Sequence, residues 1–332
     1  MSECRTRRAE SLKLKTVKFL YDLCIKDRDL KTVITNSLSN NSLPELDWHW
    51  QGHQIRYTVA GAGKPLLLIH GFGASIGHWK KNISVLADAG YQVFAVDLLG
   101  FGGSDKAPLN YTLELWESQI LDFWTEFIHQ PTIFVGNSIG ALLALILVTN
   151  HPAIALGGVL INCAGGLNHR PGDLNPLLGM VMAGFAKLVS SPITGNLIFN
   201  NIRRKSQIRR TLYQVYGDRQ AVTDDLVDML YQPSCDPGAQ QVFASVLTAP
   251  PGKTPDELLP NLNRPLLVVW GEKDPWTPVA GAKIYQDLAD SNPEVEFQII
   301  PQAGHCPHDE NPTAVNAQII QWLSKVMVSS GY

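Results

Sequence analysis

Short apolar runs of strand length recur along the chain and alternate with helix-length segments. Most of these runs are continuously hydrophobic rather than alternating, and they are bounded by turn residues. Continuous hydrophobicity is typical of strands that are covered on both faces, as in a parallel sheet with helices on each side. The pattern therefore predicts a layered α/β domain. The runs are Leu66–His70, Val93–Leu98, Thr132–Gly136, Val159–Asn162, Leu266–Trp270 and Glu296–Ile300.

A hairpin and two distinctive helices complete the predicted core. Residues 47–61 (DWHWQGHQIRYTVAG) have a turn at Gln51-Gly52, which predicts a β-hairpin. With these two strands, the predicted sheet has eight strands and is mostly parallel. Leu142–Thr149 is apolar on nearly all sides, so we expect it to be the most buried helix. Pro312–Met327 is expected to form the closing helix.

The regular spacing of strands is interrupted once, between Asn162 and Leu266. This interval is rich in Met and Phe, then basic, and it has helical periodicity without strand segments. It predicts a helical insertion over one end of the sheet, which we call the cap. The expected division is 1–46 as an N-terminal segment and linker, 165–258 as the cap, and 47–164 and 259–332 as the two parts of the core.

The N-terminal segment is amphipathic over residues 10–30, with apolar residues at helical spacing and basic residues between them. Two interpretations are open. The segment forms a helix that packs on the main domain, or it makes a peripheral contact with an anionic lipid surface. The apolar positions are Leu14, Val17, Leu20, Tyr21 and Cys24.

Composition narrows the class of protein. The 332 residues include 27 basic and 30 acidic side chains, giving a net charge of −3, which argues against nucleic acid as the main partner. The five cysteines are scattered without C-x-x-C spacing, so we expect no disulfide framework, no metal site and a reducing compartment. No run is apolar enough for a transmembrane helix, and the first thirty residues lack a secretory signal. These features predict a cytoplasmic protein.

The strongest chemical signal is the pentapeptide Gly136-Asn137-Ser138-Ile139-Gly140, which fits G-x-S-x-G. It follows an apolar strand and precedes an apolar helix, the context in which this motif presents a nucleophilic serine. The glycines allow a tight turn and a close approach of helix and strand. Ser138 is therefore the candidate nucleophile.

A serine needs a general base, which in turn needs an acid to orient it. Asp274 directly follows the run LLVVW, and His305 directly follows the run EFQIIP and its short QAG turn. Both therefore lie at the carboxyl ends of predicted strands, where sites gather in open α/β sheets. We expect Asp274 to be the acid and His305 the base, and no cofactor is required.

Other histidines and aspartates are weaker candidates for the base and the acid. His308 is three residues beyond His305, but Gly304 gives the tight turn that favours His305. His70 is interpreted as a buried structural histidine. Asp97 and Asp105 flank a Gly-rich turn and are expected to hold it by hydrogen bonds to backbone.

The segment His70-Gly71-Phe72-Gly73 follows another strand and supplies a second element of the site. Acyl transfer places negative charge on the carbonyl oxygen, and preorganised N–H donors stabilise that charge. The backbone amides of Phe72 and Ile139 are expected to form this oxyanion hole.

Five segments together resemble the α/β-hydrolase superfamily, and the resemblance covers residues 47–328. They are HGFGAS, DLLGFGGSD, GNSIG, GEKDPWTP and GHCPHDENP. The resemblance implies an α/β-hydrolase fold, a mostly parallel eight-stranded sheet with helices on both faces and a helical cap insertion. It assigns Ser138, Asp274 and His305 as the nucleophile, acid and base.

Longer segments, among them INCAGGLNHRP and PSCDPGAQQVFASVLTAP, resemble the chlorophyll dephytylase and pheophytinase-like hydrolases of cyanobacteria and plastids. This resemblance implies hydrolysis of the phytyl ester of chlorophyll or pheophytin, and a peripheral location at the thylakoid membrane. The apolar cap permits such a substrate, although most of its apolar residues are expected to pack its own helices. The candidate substrate-binding residues are Trp276, Met180, Met182, Phe185 and Phe199.

Other functions remain open. The motif GNS-x-G also resembles hydrolases that cleave carbon–carbon bonds in ring-opened aromatic diketones. Their anionic substrates would need a cation facing Ser138, for which Arg170, Arg203 and Arg204 are candidates. A general carboxylesterase and a ligand receptor of the same fold are further alternatives. Halide or epoxide chemistry by the usual covalent route would need a carboxylate at position 138.

Overall fold

The computed structural model describes residues 44–168 and 184–329, and its folded unit comprises residues from Glu45 onward. Eight strands form one sheet in the order β1-β2-β4-β3-β5-β6-β7-β8. β2 is antiparallel to both of its neighbours, and all other neighbouring pairs are parallel. The strands are β1 Leu46–Trp50, β2 His53–Ala60, β3 Lys64–Ile69, β4 Tyr91–Val96, β5 Thr132–Asn137, β6 Ala155–Ile161, β7 Leu266–Gly271 and β8 Val295–Ile300.

Helices connect the parallel strands and form the insertion between β6 and β7. The α-helices are α1 Lys80–Asp88, α2 Leu113–Phe123, α3 Ile139–Asn150, α4 Pro192–Ile202, α5 Lys205–Val215, α6 Asp224–Tyr231, α7 Ala239–Thr248, α8 Pro255–Leu258, α9 Lys283–Ser291, α10 Pro307–Glu310 and α11 Pro312–Ser329. Residues 184–190 are also helical. Shorter turns of 3₁₀-helix are Ile76–Trp79, Arg219–Ala221, Pro233–Cys235, Leu259–Asn261 and Val279–Ala282, and Trp124–Ile128 is a π-helix.

The centre of the molecule is built from β5 and α3. β5 is buried along its whole length, and α3 is buried from Ile139 to Thr149. A helix that is apolar on all sides has no face to present to water, so it packs in the interior. The expectation that this helix is the most enclosed one is confirmed.

Several strand ends differ from the expected ones. β6 begins at Ala155, earlier than the apolar run at Val159, because Gly157 and Gly158 belong to the strand. A Cβ at Gly157 would lie 2.7 Å from the Pro265 carbonyl oxygen, so this glycine is needed for close packing rather than for a turn. β4 ends at Val96, so Asp97 directly follows it.

The predicted hairpin is confirmed. Gln51 and Gly52 both have positive φ, 49° and 85°, as the two central residues of a type I′ turn require. The turn sets the register of β1 and β2, in which Trp50 pairs with His53.

The described residues 184–258 form helices without a strand. A hydrophobic cluster joins α5 and α6 inside this insertion, and its buried members include Leu212, Val215, Tyr216, Leu226 and Val227. The N-terminal segment 1–43 and residues 169–183 lie outside the described residues. No helix in the described ranges is long and apolar enough to cross a membrane.

Candidate active site

Ser138 lies in a sharp turn between β5 and α3. Its backbone has φ 58° and ψ −119°, a strained conformation for a residue with a side chain. The two glycines of the motif make this turn compact. A Cβ at Gly136 would lie 2.0 Å from the Gly140 carbonyl oxygen, and a Cβ at Gly140 would lie 2.2 Å from the Ile69 carbonyl oxygen. Ser138 is thereby placed, half-buried, in a cavity at the carboxyl end of a central strand.

Asp274 and His305 form a buried hydrogen-bonded pair. His305 Nδ1 lies 2.7 Å from Asp274 Oδ2, and each residue is only 4% exposed. A carboxylate can only accept, so the imidazole proton lies on Nδ1 and Nε2 carries a lone pair. His305 Nε2 is buried and has no hydrogen-bond partner among the described residues. It therefore has the free lone pair that a general base needs.

Asp274 is oriented by its own loop. Its Oδ1 accepts hydrogen bonds from the backbone amides of Trp276, at 2.8 Å, and Thr277, at 3.1 Å. Its Oδ2 also accepts from the Thr277 hydroxyl. Burial alone would raise the pKa of Asp274, but the bonds from His305 and Thr277 outweigh burial and lower this pKa. The acid is thus held ionised beside the base.

Ser138 and His305 line the same cavity, at the carboxyl ends of β5 and β8. No hydrogen bond joins the Ser138 hydroxyl to His305 Nε2 in the described structure. Such bonds are often long before substrate binds and tighten in the reacting complex. The three residues of the expected triad are therefore brought to one edge of the sheet from three separate strands.

Phe72 lies beside the nucleophile, in the turn after β3. Gly73 has φ 67°, and a Cβ at Gly71 would lie only 3.3 Å from the Ser138 Cβ. Ile139 is the first residue of α3, so its amide has no acceptor within the helix. The turn and the helix start thus meet at Ser138, the arrangement that an oxyanion hole from the Phe72 and Ile139 amides requires.

The other histidines of the core have different surroundings. His70 Nε2 accepts a hydrogen bond from the Leu98 amide, and its Nδ1 contacts the Gly71 carbonyl oxygen at 2.7 Å. Burial lowers the pKa of His70 to about 4, so it is neutral. His308 is fully buried against the Trp79 ring, with centroids 4.3 Å apart, and it is not among the residues that line the cavity. Neither residue is placed to act as the base.

Asp97 holds the Gly-rich turn, as expected. Its carboxylate accepts from the Gly103 amide at 2.6 Å and from the Ile76 amide at 2.7 Å. Asp105 accepts instead from the Gln54 amide of β2, at 2.8 Å. Burial raises the pKa of Asp97 to about 6, although these amide bonds oppose the rise. Both carboxylates shape the loop after β4.

The cavity has a volume of about 260 Å³ and lies between the carboxyl ends of the strands and the insertion. A row of aromatic rings follows its wall: Phe101 and Phe72 are 5.5 Å apart, Phe72 and Phe243 are 6.1 Å apart, and Phe243 and Phe199 are 5.3 Å apart. Trp276 is 56% exposed at the cavity, with its ring 5.4 Å from that of His305. The cavity beside the nucleophile is thus mainly aromatic and aliphatic.

Only some of the expected substrate-binding residues line this cavity. Phe199 and Trp276 line the cavity. Phe185 is not among the described residues that line it, which corrects that expectation, and its side chain is 38% exposed. Met180 and Met182 lie outside the described residues.

Two asparagines that support the site were not predicted from the sequence. Asn162, at the end of β6, donates from Nδ2 to Asp274 Oδ2 at 2.7 Å and accepts from the Gly271 amide at 3.0 Å. The amide of Asn137 donates to the His305 carbonyl oxygen at 3.0 Å. Asn162 carries no carboxylate and so was not a candidate acid, but its place at a strand end beside β7 was the available signal.

Comparisons with known proteins agree with this fold. The model of the Alpha/beta hydrolase family matches residues 66–318. The chain is 28% identical over 324 residues to the chloroplastic pheophytinase of Arabidopsis thaliana, covering 84% of this chain and 66% of the relative. It is also 28% identical over 277 residues to 2-hydroxymuconate semialdehyde hydrolase of Pseudomonas sp. strain CF600, covering 80% of this chain and 89% of the relative.

Among solved structures, a serine hydrolase involved in carbazole degradation superposes with a TM-score of 0.68 at 23% identity, covering 85% of this chain and 99% of that one. A membrane phospholipase A superposes with a TM-score of 0.64 at 22% identity, covering 96% of this chain and 99% of that one. These likenesses concern the fold. The family match spans most of the sheet together with Ser138, Asp274 and His305. This chain therefore belongs to the alpha/beta hydrolase family.

Proposed function

We propose that this hydrolase cleaves the ester of a bulky apolar alcohol, and that its substrate is the phytyl ester of chlorophyll or pheophytin. The observation that carries the proposal is the aromatic cavity onto which Ser138 and His305 both open. A cavity lined in this way favours an apolar group close to the reacting carbonyl. The similarity to Arabidopsis pheophytinase supports the same choice.

In the proposed mechanism, Ser138 attacks the ester carbonyl carbon while His305 Nε2 takes the hydroxyl proton. Asp274 keeps the imidazole oriented and stabilises the imidazolium that forms. The amides of Phe72 and Ile139 donate to the carbonyl oxygen, which becomes an oxyanion. His305 then gives its proton to the departing alcohol, leaving an acyl group on Ser138.

Hydrolysis of the acyl-enzyme completes the cycle. Water gives a proton to His305 and attacks the acyl carbonyl carbon, and the imidazolium returns the proton to the Ser138 oxygen as the carboxylic acid leaves. The released products are phytol and the free acid of the pigment. Each proton that His305 takes up is returned within the same cycle, so the proposed reaction consumes only ester and water.

The apolar wall has the character that a phytyl chain requires. Burial of each methylene contributes about 0.8 kcal/mol, so even partial burial of a twenty-carbon chain is a large favourable term. The aromatic row of Phe101, Phe72, Phe243 and Phe199 offers such a surface. Binding energy from this remote chain can hold the ester carbonyl at Ser138.

The cations at the cavity favour this substrate over an anionic diketone. Lys106 is 9% exposed and is engaged by Asp236 and the Ser104 carbonyl oxygen. The Arg203 guanidinium contacts Asn200 Oδ1 and Cys235 Sγ. Arg204 lines a separate cleft, and Arg170 lies outside the described residues. Within the described cavity wall, Lys106 is therefore paired with a carboxylate, and Arg203 already donates to two neutral groups.

The test is incubation of the purified protein with detergent-dispersed chlorophyll a and, separately, pheophytin a, followed by chromatography of the pigments and of phytol. The proposal predicts a phytol-free pigment and an equal amount of phytol from at least one of them. Ser138→Ala is the control and should give neither product. Absence of product with wild type, together with turnover of a ring-opened diketone, would favour the carbon–carbon hydrolase instead.

We also propose that the chain works at a membrane surface, through a contact made by residues 10–30. The support is the basic amphipathic pattern of that segment. Deletion of residues 1–40 should weaken flotation with anionic vesicles and leave cleavage of a small soluble ester unchanged. Equal flotation of the full and shortened chains would refute this contact.

A further inference from the structure

The loop that carries His305 contacts the end of a cap helix directly. This loop, residues 301–306, joins β8 to α10, and we call it the His305 loop. The backbone amide of His305 donates to the carbonyl oxygen of Val215, the last residue of α5, at 2.9 Å. The candidate base is therefore hydrogen-bonded, through its own backbone, to the insertion above it.

Two glycines allow the cap and the loop to approach this closely. A Cβ at Gly217 would lie 2.0 Å from the Gln302 carbonyl oxygen. A Cβ at Gly304 would lie 2.1 Å from the Val215 carbonyl oxygen and 2.7 Å from the Gly217 nitrogen. Neither position has room for a side chain, so backbone packs on backbone from both sides of the contact.

One carboxylate joins the two segments. Glu310 Oε1 accepts from the Gly304 amide of the His305 loop at 2.8 Å. Its Oε2 accepts from the Gly217 and Asp218 amides of the cap, at 2.7 and 3.0 Å. Hydrogen bonds from backbone amides to an ionised acceptor are stronger than neutral ones. Oε1 of Glu310 thus accepts from the His305 loop, and Oε2 accepts from the cap.

A second link lies on the other side of the same contact. The Tyr216 hydroxyl lies 3.0 Å from Asp309 Oδ2 and 2.8 Å from His78 Nε2. Asp309 is also paired with Lys81, at 2.9 Å. Tyr216 belongs to the cap, whereas the other three residues belong to the core. The cap residues 215–218 are therefore fixed to α10 by two successive acidic residues.

We propose that Glu310 is a positioning residue for the catalytic base, because it couples the position of the cap segment 215–218 to that of the His305 loop. The inference rests on the proposed role of His305. In Glu310→Gln, the single remaining oxygen can accept from only one of the two segments, and the NH2 group, which is a donor, faces the backbone amides of the other segment, so the His305 loop can move relative to Asp274. A misplacement of about 1 Å at a catalytic group can reduce a rate about 100-fold.

The experiment compares Glu310→Gln with Glu272→Gln. Glu272 is the matched control because its exposed carboxylate also accepts from the same loop, at the Gln302 amide, but does not contact the cap. The rate of Ser138 phosphonylation by a small fluorophosphonate reports on the base without any pigment substrate. The low-field proton resonance of His305 Nδ1–H reports on its bond to Asp274.

We expect Glu310→Gln to slow phosphonylation about 100-fold and to broaden or remove the low-field resonance, with Glu272→Gln close to wild type in both. An unchanged resonance and rate in folded Glu310→Gln would overturn the proposal. If that variant does not fold, Tyr216→Phe, which breaks the second link, replaces it; an unchanged resonance there would count equally against the coupling. Failure of the pigment assay with normal phosphonylation would refute only the proposed substrate.

Discussion

Asn162 takes no part in the proposed reaction, but it helps to orient Asp274, which does. It joins Asp274 to the Gly271 amide, so it connects the ends of β6 and β7. Its backbone has φ 45°, in the left-handed region that asparagine tolerates better than most residues with a side chain. The acid is therefore oriented by a neighbouring strand as well as by its own loop.

Replacement of this side chain should weaken both fold and activity. In Asn162→Ala, the Gly271 amide loses its acceptor and Asp274 loses one donor in a buried setting, which costs about 1–3 kcal/mol of the free energy of unfolding. Urea denaturation measures this loss, and the kcat for a small ester should fall with it. Asn150→Ala, which removes an exposed asparagine, is the control. Equal stability of the two variants would contradict this role.

The triad could be singled out from sequence, whereas its supports could not. Ser138, Asp274 and His305 each follow a recognisable apolar run, and strand ends of a parallel sheet share one edge. Asn162 also follows such a run, and this strand-end position was its signal, but an amide is not an expected acid, so its contact with Asp274 was not predicted. Phe243 was missed because an aromatic residue at helical spacing looks the same whether it faces a cavity or its own core.

At the scale of elements, the contact between α3 and β3 determines where the nucleophile lies. α3 is apolar on all sides and packs against the sheet at Gly140, where the Ile69 and His70 carbonyl oxygens approach. Sequence alone indicated the helix and its burial. It did not indicate that Gly140 serves this contact with a different strand.

Gly140→Ala should therefore displace the helix. The new Cβ would lie 2.2 Å from the Ile69 carbonyl oxygen, and backbone cannot move aside as a side chain can. Overpacking of this kind costs about 1–3 kcal/mol or more, and the shift of Ser138 should also reduce kcat. Gly281→Ala is the matched control, since nothing lies within 4 Å of its Cβ. A melting temperature for Gly140→Ala equal to that of the control would contradict the prediction.

At the scale of the whole molecule, the interior holds several histidines that are neutral because they are buried. Burial lowers the pKa of His70 to about 4, lowers that of His78, and lowers that of His308 well below its usual value. Burial raises the pKa of Asp97 to about 6 and also raises the pKa of Glu310, and both shifts act in the opposite sense. The three histidines outnumber these two carboxylates.

Stability should therefore fall on acidification. Between about pH 6.5 and pH 4 the unfolded chain binds a proton at position 70 that the folded chain does not, which lowers the free energy of unfolding by roughly 3 kcal/mol at the acid end. The lowered pKa values of His78 and His308 add to this loss, and the raised pKa values of Asp97 and Glu310 offset part of it. Urea unfolding at pH 7 and pH 5 measures the difference.

His308→Leu removes one of these groups. Both ring nitrogens of His308 are buried without a hydrogen-bond partner among the described residues, so an apolar side chain suits its site. The variant should lose less stability between pH 7 and pH 5 than wild type does. His49→Leu, at an exposed position in β1, is the control. The same loss in His308→Leu as in wild type would contradict the linkage.

The mostly parallel eight-stranded sheet and the helical character of the insertion follow from the apolar runs and from their one long interruption, whereas the order of the strands does not. The connection between the cap and His305 could not be predicted from the apolar runs, because it consists mainly of backbone atoms and of glycines far apart in sequence. Gly217 and Gly304 are separated by a helical region and two strands, and only the folded chain brings them together.

The central claim is that His305 makes the Ser138 hydroxyl reactive, and covalent labelling tests it most directly. Wild type is treated with a fluorophosphonate, and the modified peptide is identified by mass spectrometry. The account predicts one adduct, on Ser138, that forms far more slowly in His305→Ala and Asp274→Ala. An adduct on another residue, or equal labelling of Ser138 in wild type and His305→Ala, would contradict it.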